Sequence, residues 1–91
     1  MTINFKTPEI KDWNVSAATN MANMFRNQAD FNVNISSWDV SSCNNMDNMF
    51  NGGESFNRDL RNWCVQGVGS APNNFGGAAG WTNKPVWGTC P

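Results

Sequence analysis

Three cysteines, Cys43, Cys64 and Cys90, and, among seven carboxylates, Asp12 and Asp39 are the residues of this chain whose types and spacing could support chemistry. Thiolates hold metals or pair as disulfides, and facing carboxylates support acid–base work or a Ca2+ ion. The rest of the sequence narrows these options. There is no histidine, so the usual general base and the commonest nitrogen ligand for zinc are missing, and classical triads and His-containing zinc sites are excluded. The cysteines are scattered with no C-x-x-C pair, which argues against structural zinc. Neither aspartate sits in a D-x-D-x-D-G loop or a calcium-binding nonapeptide, so solvated side chains are expected there. The glycines of Asn51-Gly52-Gly53 and Gly76-Gly77 lack the G-x-G-x-x-G or Walker spacing that cradles phosphate and read as turns. No catalytic residue, metal ligand or cofactor is expected, and the chain does not read as an enzyme.

Charge narrows the partners. Six Lys+Arg against seven Asp+Glu give a net charge of -1, without the basic surplus that nucleic-acid binding needs. No run of about 18 apolar residues is present to span a membrane. Charged residues make up 14% of the chain, well below the roughly 25% of ordinary soluble proteins. Polarity is carried instead by Asn, which occupies 16 of the 91 positions. Asn bonds locally to the backbone and tolerates positive φ, so its abundance predicts a turn-rich chain. The length fits one domain.

The elements that position these residues recur with a period of 25. Trp13, Trp38 and Trp63 are spaced by 25, as are Val15, Val40 and Val65, and Ile10 and Ile35 lead on to Leu60. Phe25, Phe50 and Phe75 form another ladder, and Phe31, Phe56 and Trp81 a further one. Met21 and Met24 return as Met46 and Met49. Residues 10–34 and 35–59 are two units, and residues 60–91 a degenerate last unit with a C-terminal cap. The stretch from Ile35 to Val40 has the L-x-x-L-x-L spacing of a leucine-rich repeat and predicts a short strand. Met21, Met24 and Phe25, at i, i+3 and i+4, predict a short helix with Ser16, or Ser41 in the next unit, as its N-cap. The expected fold is therefore an α/β solenoid of leucine-rich-repeat-like coils, whose aromatic and Met ladders form the shared core.

The phrases "WNVSAATNMANMF", "FNVNISSWDVSSCNNMDNMF" and "FNRDLRNW" resemble the 25-residue units of the BspA-like leucine-rich-repeat bacterial surface proteins. The tail from "NWCVQGVGSAPNNF" to "NKPVWGTCP" is similar to the segment that closes the last repeat in some members. Ala18 and Cys43 stand where that family usually has Val, and Val33 replaces a usually polar residue. The resemblance implies a right-handed solenoid on secreted or cell-surface proteins, with adhesion or host interaction and no enzymatic activity as a class.

The period also sorts the cysteines. Residues one period apart stack at about 4.8 Å, inside the roughly 4.4 to 6.8 Å Cα range of a disulfide. Cys64 and Cys90, 26 apart, are expected to pair, leaving Cys43 as a buried thiol. The bridge would clamp a cap in which Pro85 suits an edge strand and Val86 and Trp87 lie over the Trp63 to Val65 strand. An oxidised pair implies an extracytoplasmic setting. The opening "MTINFKTPEI" carries no basic segment followed by an apolar run, so the chain reads as part of a longer exported protein, at the cell surface or outside the cell.

Positions flanking Trp and Val are expected to face outward: Asp12, Asn14 and Ser16, then Ser37, Asp39 and Ser41, then Asn62, Cys64 and Gln66. This polar face is the candidate surface for a protein or glycan on a host or neighbouring cell. Asp12 and Asp39 are expected to face each other across it. Asn32 and Asn57 are expected to bond turn backbone. Asn14-Val15-Ser16 and Asn34-Ile35-Ser36 fit the N-glycosylation pattern. The alternative is a structural or assembly element that forms a homodimer through an open N-terminal coil around residues 1–15.

Overall fold

Left-handed residues recur in every unit, two in each of the first two and four in residues 60–91, and set the local backbone. Asn23 and Asn48, one period apart, have φ of 63° and 60°. Asn27, Gly52 and Gly77, again in register, have φ of 63°, 81° and 95°. A residue in this conformation ends an α-helix, and Asn and Gly are the residues that adopt it at low cost. The computed structural model describes residues 8–91 and shows the result. The predicted solenoid of short strands and short helices does not form. Among the described residues there is no α-helix and no strand; the regular element is the 3-10 helix Pro8–Asp12, and two isolated parallel bridges join Asn20 to Asn45 and Phe50 to Gly76. The radius of gyration, 11.9 Å, is that of a globular domain of this length, about 12 Å.

Turns repeat where helices and strands were expected. The amides of Trp13, Trp38 and Trp63 each close a turn on the carbonyl three residues back, at Ile10, Ile35 and Leu60. Ala18, Cys43 and Val68 do the same on Val15, Val40 and Val65. The Met-Phe segment is a run of such turns rather than a helical one. Met24, Arg26 and Gln28 bond back to Met21, Asn23 and Phe25, while the alternate amides of Met21, Asn23, Phe25 and Asn27 donate across to the carbonyls of Asn45, Asp47, Met49 and Asn51 at 2.7 to 3.0 Å. An amide committed to the next unit is unavailable to an i−4 carbonyl, so the helix predicted from Met21, Met24 and Phe25 is replaced by alternating local and inter-unit bonds. Ser16 and Ser41 are consequently not helix caps: each hydroxyl donates at 2.6 Å to the side-chain oxygen of Asn14 or Asp39. The predicted strand from Ile35 is cut by the turn that Trp38 closes on it.

The core is a grid of rings. Phe25 and Phe31 stack with centroids 4.2 Å apart, and so do Phe50 and Phe56 one period later; between periods Phe25 meets Phe50 at 5.4 Å and Phe31 meets Phe56 at 5.5 Å. In the third row Phe75 and Trp81 stand edge-on to Phe50, 82° and 85° from its plane. Edge-to-face contact presents the positive rim of one ring to the negative face of the next. Each inner Trp also reaches back one unit. The indole N–H of Trp38 donates to the Ile10 carbonyl at 3.0 Å and that of Trp63 to Ile35 at 3.1 Å, so both carbonyls accept two bonds. Trp13, expected in the same buried ladder, is instead 39% exposed.

Gly77 shows how tightly the last row is closed. Its φ is left-handed, and a β-carbon there would run into the Trp81 ring and come within 3.1 Å of the Phe56 carbonyl oxygen. Gly77→Ala is expected to lower stability by more than about 1 kcal/mol in urea unfolding. Gly80→Ala, with open space around the site, leaves the midpoint unchanged.

The C-terminal segment lies against the last unit. The Leu60 amide donates to Asn83, the Val65 amide to Thr89 and the Gly88 amide back to Val65. Pro85 is buried, Trp87 meets Phe75 edge-on at 4.8 Å, and Val86 points outward at 52% exposure. Cys64 is joined to Cys90 by a disulfide. Cys43 is a buried free thiol whose Sγ donates to the Asn45 carbonyl at 3.3 Å.

Candidate interaction surface

Asx turns hold most of the outward polar side chains. Asn14 Oδ1 accepts from the Ser16 amide and hydroxyl at 3.1 and 2.6 Å. One period later Asp39 Oδ1 accepts from the Ser41 amide and hydroxyl at 3.0 and 2.6 Å. Asn20, Asn34 and Asn45 take the amide two residues on in the same way. Asn32 bonds backbone as expected: its Oδ1 accepts from the Asn57 amide one period away at 3.4 Å, so it also ties two units together.

Asp12, Asn14, Ser37, Asp39, Ser41, Asn62 and Gln66 are exposed, and Ser16 and Cys64 are half-buried. Asn62 Nδ2 reaches the Ser36 carbonyl at 3.5 Å. The contacts of the two aspartates are local. Asp12 pairs with its neighbour Lys11 at 3.1 Å, and Asp39 with Ser41. Among the described residues no cluster of three or more His, Cys, Asp or Glu is placed to hold a metal ion, and no helix is long and apolar enough to cross a membrane.

Sequence reasoning missed one charged pair on this surface. Asp59 accepts from the Arg61 amide at 3.1 Å, from its Nε at 3.0 Å and, through Oδ2, from its Nη2 at 2.8 Å. The pair borders a shallow cleft with Ser36, Asn62 and Pro91. The signal was available: Asp59 lies in register with Asn34, whose Asx turn it repeats. Ser41, through its hydroxyl and then its amide, holds the Asp39 carboxyl below the ordinary carboxylate range. The Arg61 guanidinium, then the Arg61 amide, lower Asp59 further, to about 2, and the same contact raises Arg61.

A depressed folded-state pKa gives stability that is present above the unfolded value near 4 and is lost as pH falls through the folded one. The Asp59 contribution is therefore expected to disappear between about pH 4 and pH 2. A carboxyl NMR titration of Asp59 should give a midpoint near the bottom of that window, and Arg61→Gln should return it towards the ordinary carboxylate value.

No curated protein and no solved structure gives a match to this chain. A family model does, across residues 1–87, which takes in both units and nearly all of the closing segment. The chain thus belongs to the family described as "Mycoplasma protein of unknown function, DUF285".

Proposed function

We propose that the chain is a non-catalytic repeat module, displayed at a cell surface or outside the cell, that binds a protein or glycan through its outward polar face. The observation that carries this reading is the row of Asx-locked side chains, Asn14 with Ser16 and Asp39 with Ser41, repeated at one period over a packed aromatic core. Side chains already fixed before binding lose little entropy on contact, which is how a weakly charged surface gains affinity. The resemblance of the units to BspA-like surface repeats supports the same reading, as does the disulfide, which suits an oxidising compartment.

A glycan array and immobilised extracellular-matrix proteins are the probes. Saturable binding that is lost in Ser37→Arg and Gln66→Arg, two exposed positions, with the unfolding midpoint unchanged, is expected. Binding that survives both substitutions, or no binding to any probe, would overturn the reading.

A further inference from the structure

The fold places a left-handed residue at one matched position of each unit, and the chain supplies Asn27, Gly52 and Gly77 there. The residues just before them are Arg26, Asn51 and Gly76, so in the middle unit an Asn directly precedes a Gly, the one such pair among the 16 Asn. Asn is among the chemically labile residues, and a following Gly leaves the backbone nitrogen between the two unshielded by any β-carbon. The Gly52 amide makes no hydrogen bond among the described residues, and Gly52 is exposed. The amides that follow Asn20, Asn23, Asn27, Asn48 and Asn62 are all committed to carbonyls instead. Asn51 also sits in the joint between units: its carbonyl accepts from the Asn27 amide at 2.7 Å, and the turn around it is closed by the Gly53 amide on the Phe50 carbonyl at 2.8 Å.

We infer that Asn51 is a self-modification site, at which the folded chain loses a side-chain amide in water without an enzyme. The Gly52 nitrogen, its proton taken by solvent base, forms a bond to Asn51 Cγ; the Cγ–Nδ2 bond breaks, and ammonia leaves with a proton from water. A second water then opens the cyclic imide. Attack at Cγ gives aspartate. Attack at the α-carbonyl gives isoaspartate, in which the chain runs on through Cβ and Cγ and the α-carboxylate becomes the side group. Either product places one new negative charge beside the Asn27 amide, at a joint made by backbone amides and carbonyls. Isoaspartate also adds a backbone atom inside the turn from Phe50 to Gly53, so that turn is expected to open. The modification acts on the joint between units and is independent of the polar face proposed above.

The test holds the folded 91-residue chain in mildly alkaline and mildly acidic buffer and follows it by ion exchange and peptide mapping. A species more acidic by a single charge and altered at Asn51 is expected to appear first, and sooner in the alkaline buffer, because the attacking nitrogen must lose its proton. Asn51→Gln, whose side chain has to close a larger ring, should not form it. The purified isoaspartate species should unfold at lower urea and exchange its Gly53 amide faster than the parent chain, whereas Asn51→Asp, which adds no backbone atom, should match the parent in that exchange. Amide loss that begins at another Asn would overturn the proposal. So would a folded chain that stays intact while the urea-unfolded chain reacts at Asn51, since the fold would then shield the pair.

Discussion

Phe50→Ala should be the most damaging single truncation in this chain, with an expected loss of about 3 to 5 kcal/mol in guanidinium unfolding. Phe50 is fully buried and its ring meets Phe25, Phe56, Phe75 and Trp81, so it joins all three rows of the grid. A cavity there borders rings on several sides, and none can fill it without leaving its own neighbours. Domains of this length have about 5 to 14 kcal/mol in total, at roughly 0.05 to 0.15 kcal/mol per residue. The loss is therefore a large share of that total, and the variant should unfold at clearly lower denaturant than the parent chain. A loss below about 1 kcal/mol would mean that the rows pack independently of one another.

Reduction of the Cys64–Cys90 disulfide is expected to cost about 3 kcal/mol, because it releases a loop of some 26 residues in the unfolded chain. Its local effect is more specific. With the bridge open, the closing segment is held at its start by Trp81, packed on the ring grid with its indole donating to the Arg58 carbonyl, and beyond it by three backbone bonds to Leu60 and Val65 and by the contact of Trp87 with Phe75. Hydrogen exchange should therefore rise first across residues 81–91, while the Met21 to Asn27 amides stay protected. The variant carrying both Cys64→Ser and Cys90→Ser should match the reduced chain. Uniform loss of protection, or none in residues 81–91, would show that the bridge does not hold this segment in place.

The 25-residue period is the most legible feature of the sequence, and the rings it aligns are the rings that stack. The backbone between them was far less legible. Spacing of i, i+3 and i+4 at Met21, Met24 and Phe25 suits a helical turn and equally suits consecutive β-turns, since both bring those side chains to one face. The residue that separates the two is Asn23, whose left-handed φ forbids the helix, and the abundance of Asn was the clue. For the outward face, position could be read from alternation with Trp and Val. The Asx bonds that fix it could not, because they depend on turn geometry. Trp13 was assigned to the ladder by its spacing alone, and spacing cannot show whether a neighbouring unit covers it.

The predominance of neutral contacts between units has a consequence for the conditions the protein tolerates. Backbone amides and carbonyls, indole N–H groups and aromatic rings make up most of the joints between units, with the Arg58 guanidinium on the Asn32 carbonyl and the Asp47 carboxylate under the Asn73 amide as charged exceptions. The two ion pairs among the described residues, Lys11–Asp12 and Asp59–Arg61, are exposed and local. Exposed pairs contribute little and are screened by salt, whereas neutral hydrogen bonds and buried rings are not. A fold joined mainly in this way is expected to lose little stability as salt is raised, so its unfolding midpoint should move only slightly between dilute buffer and molar salt.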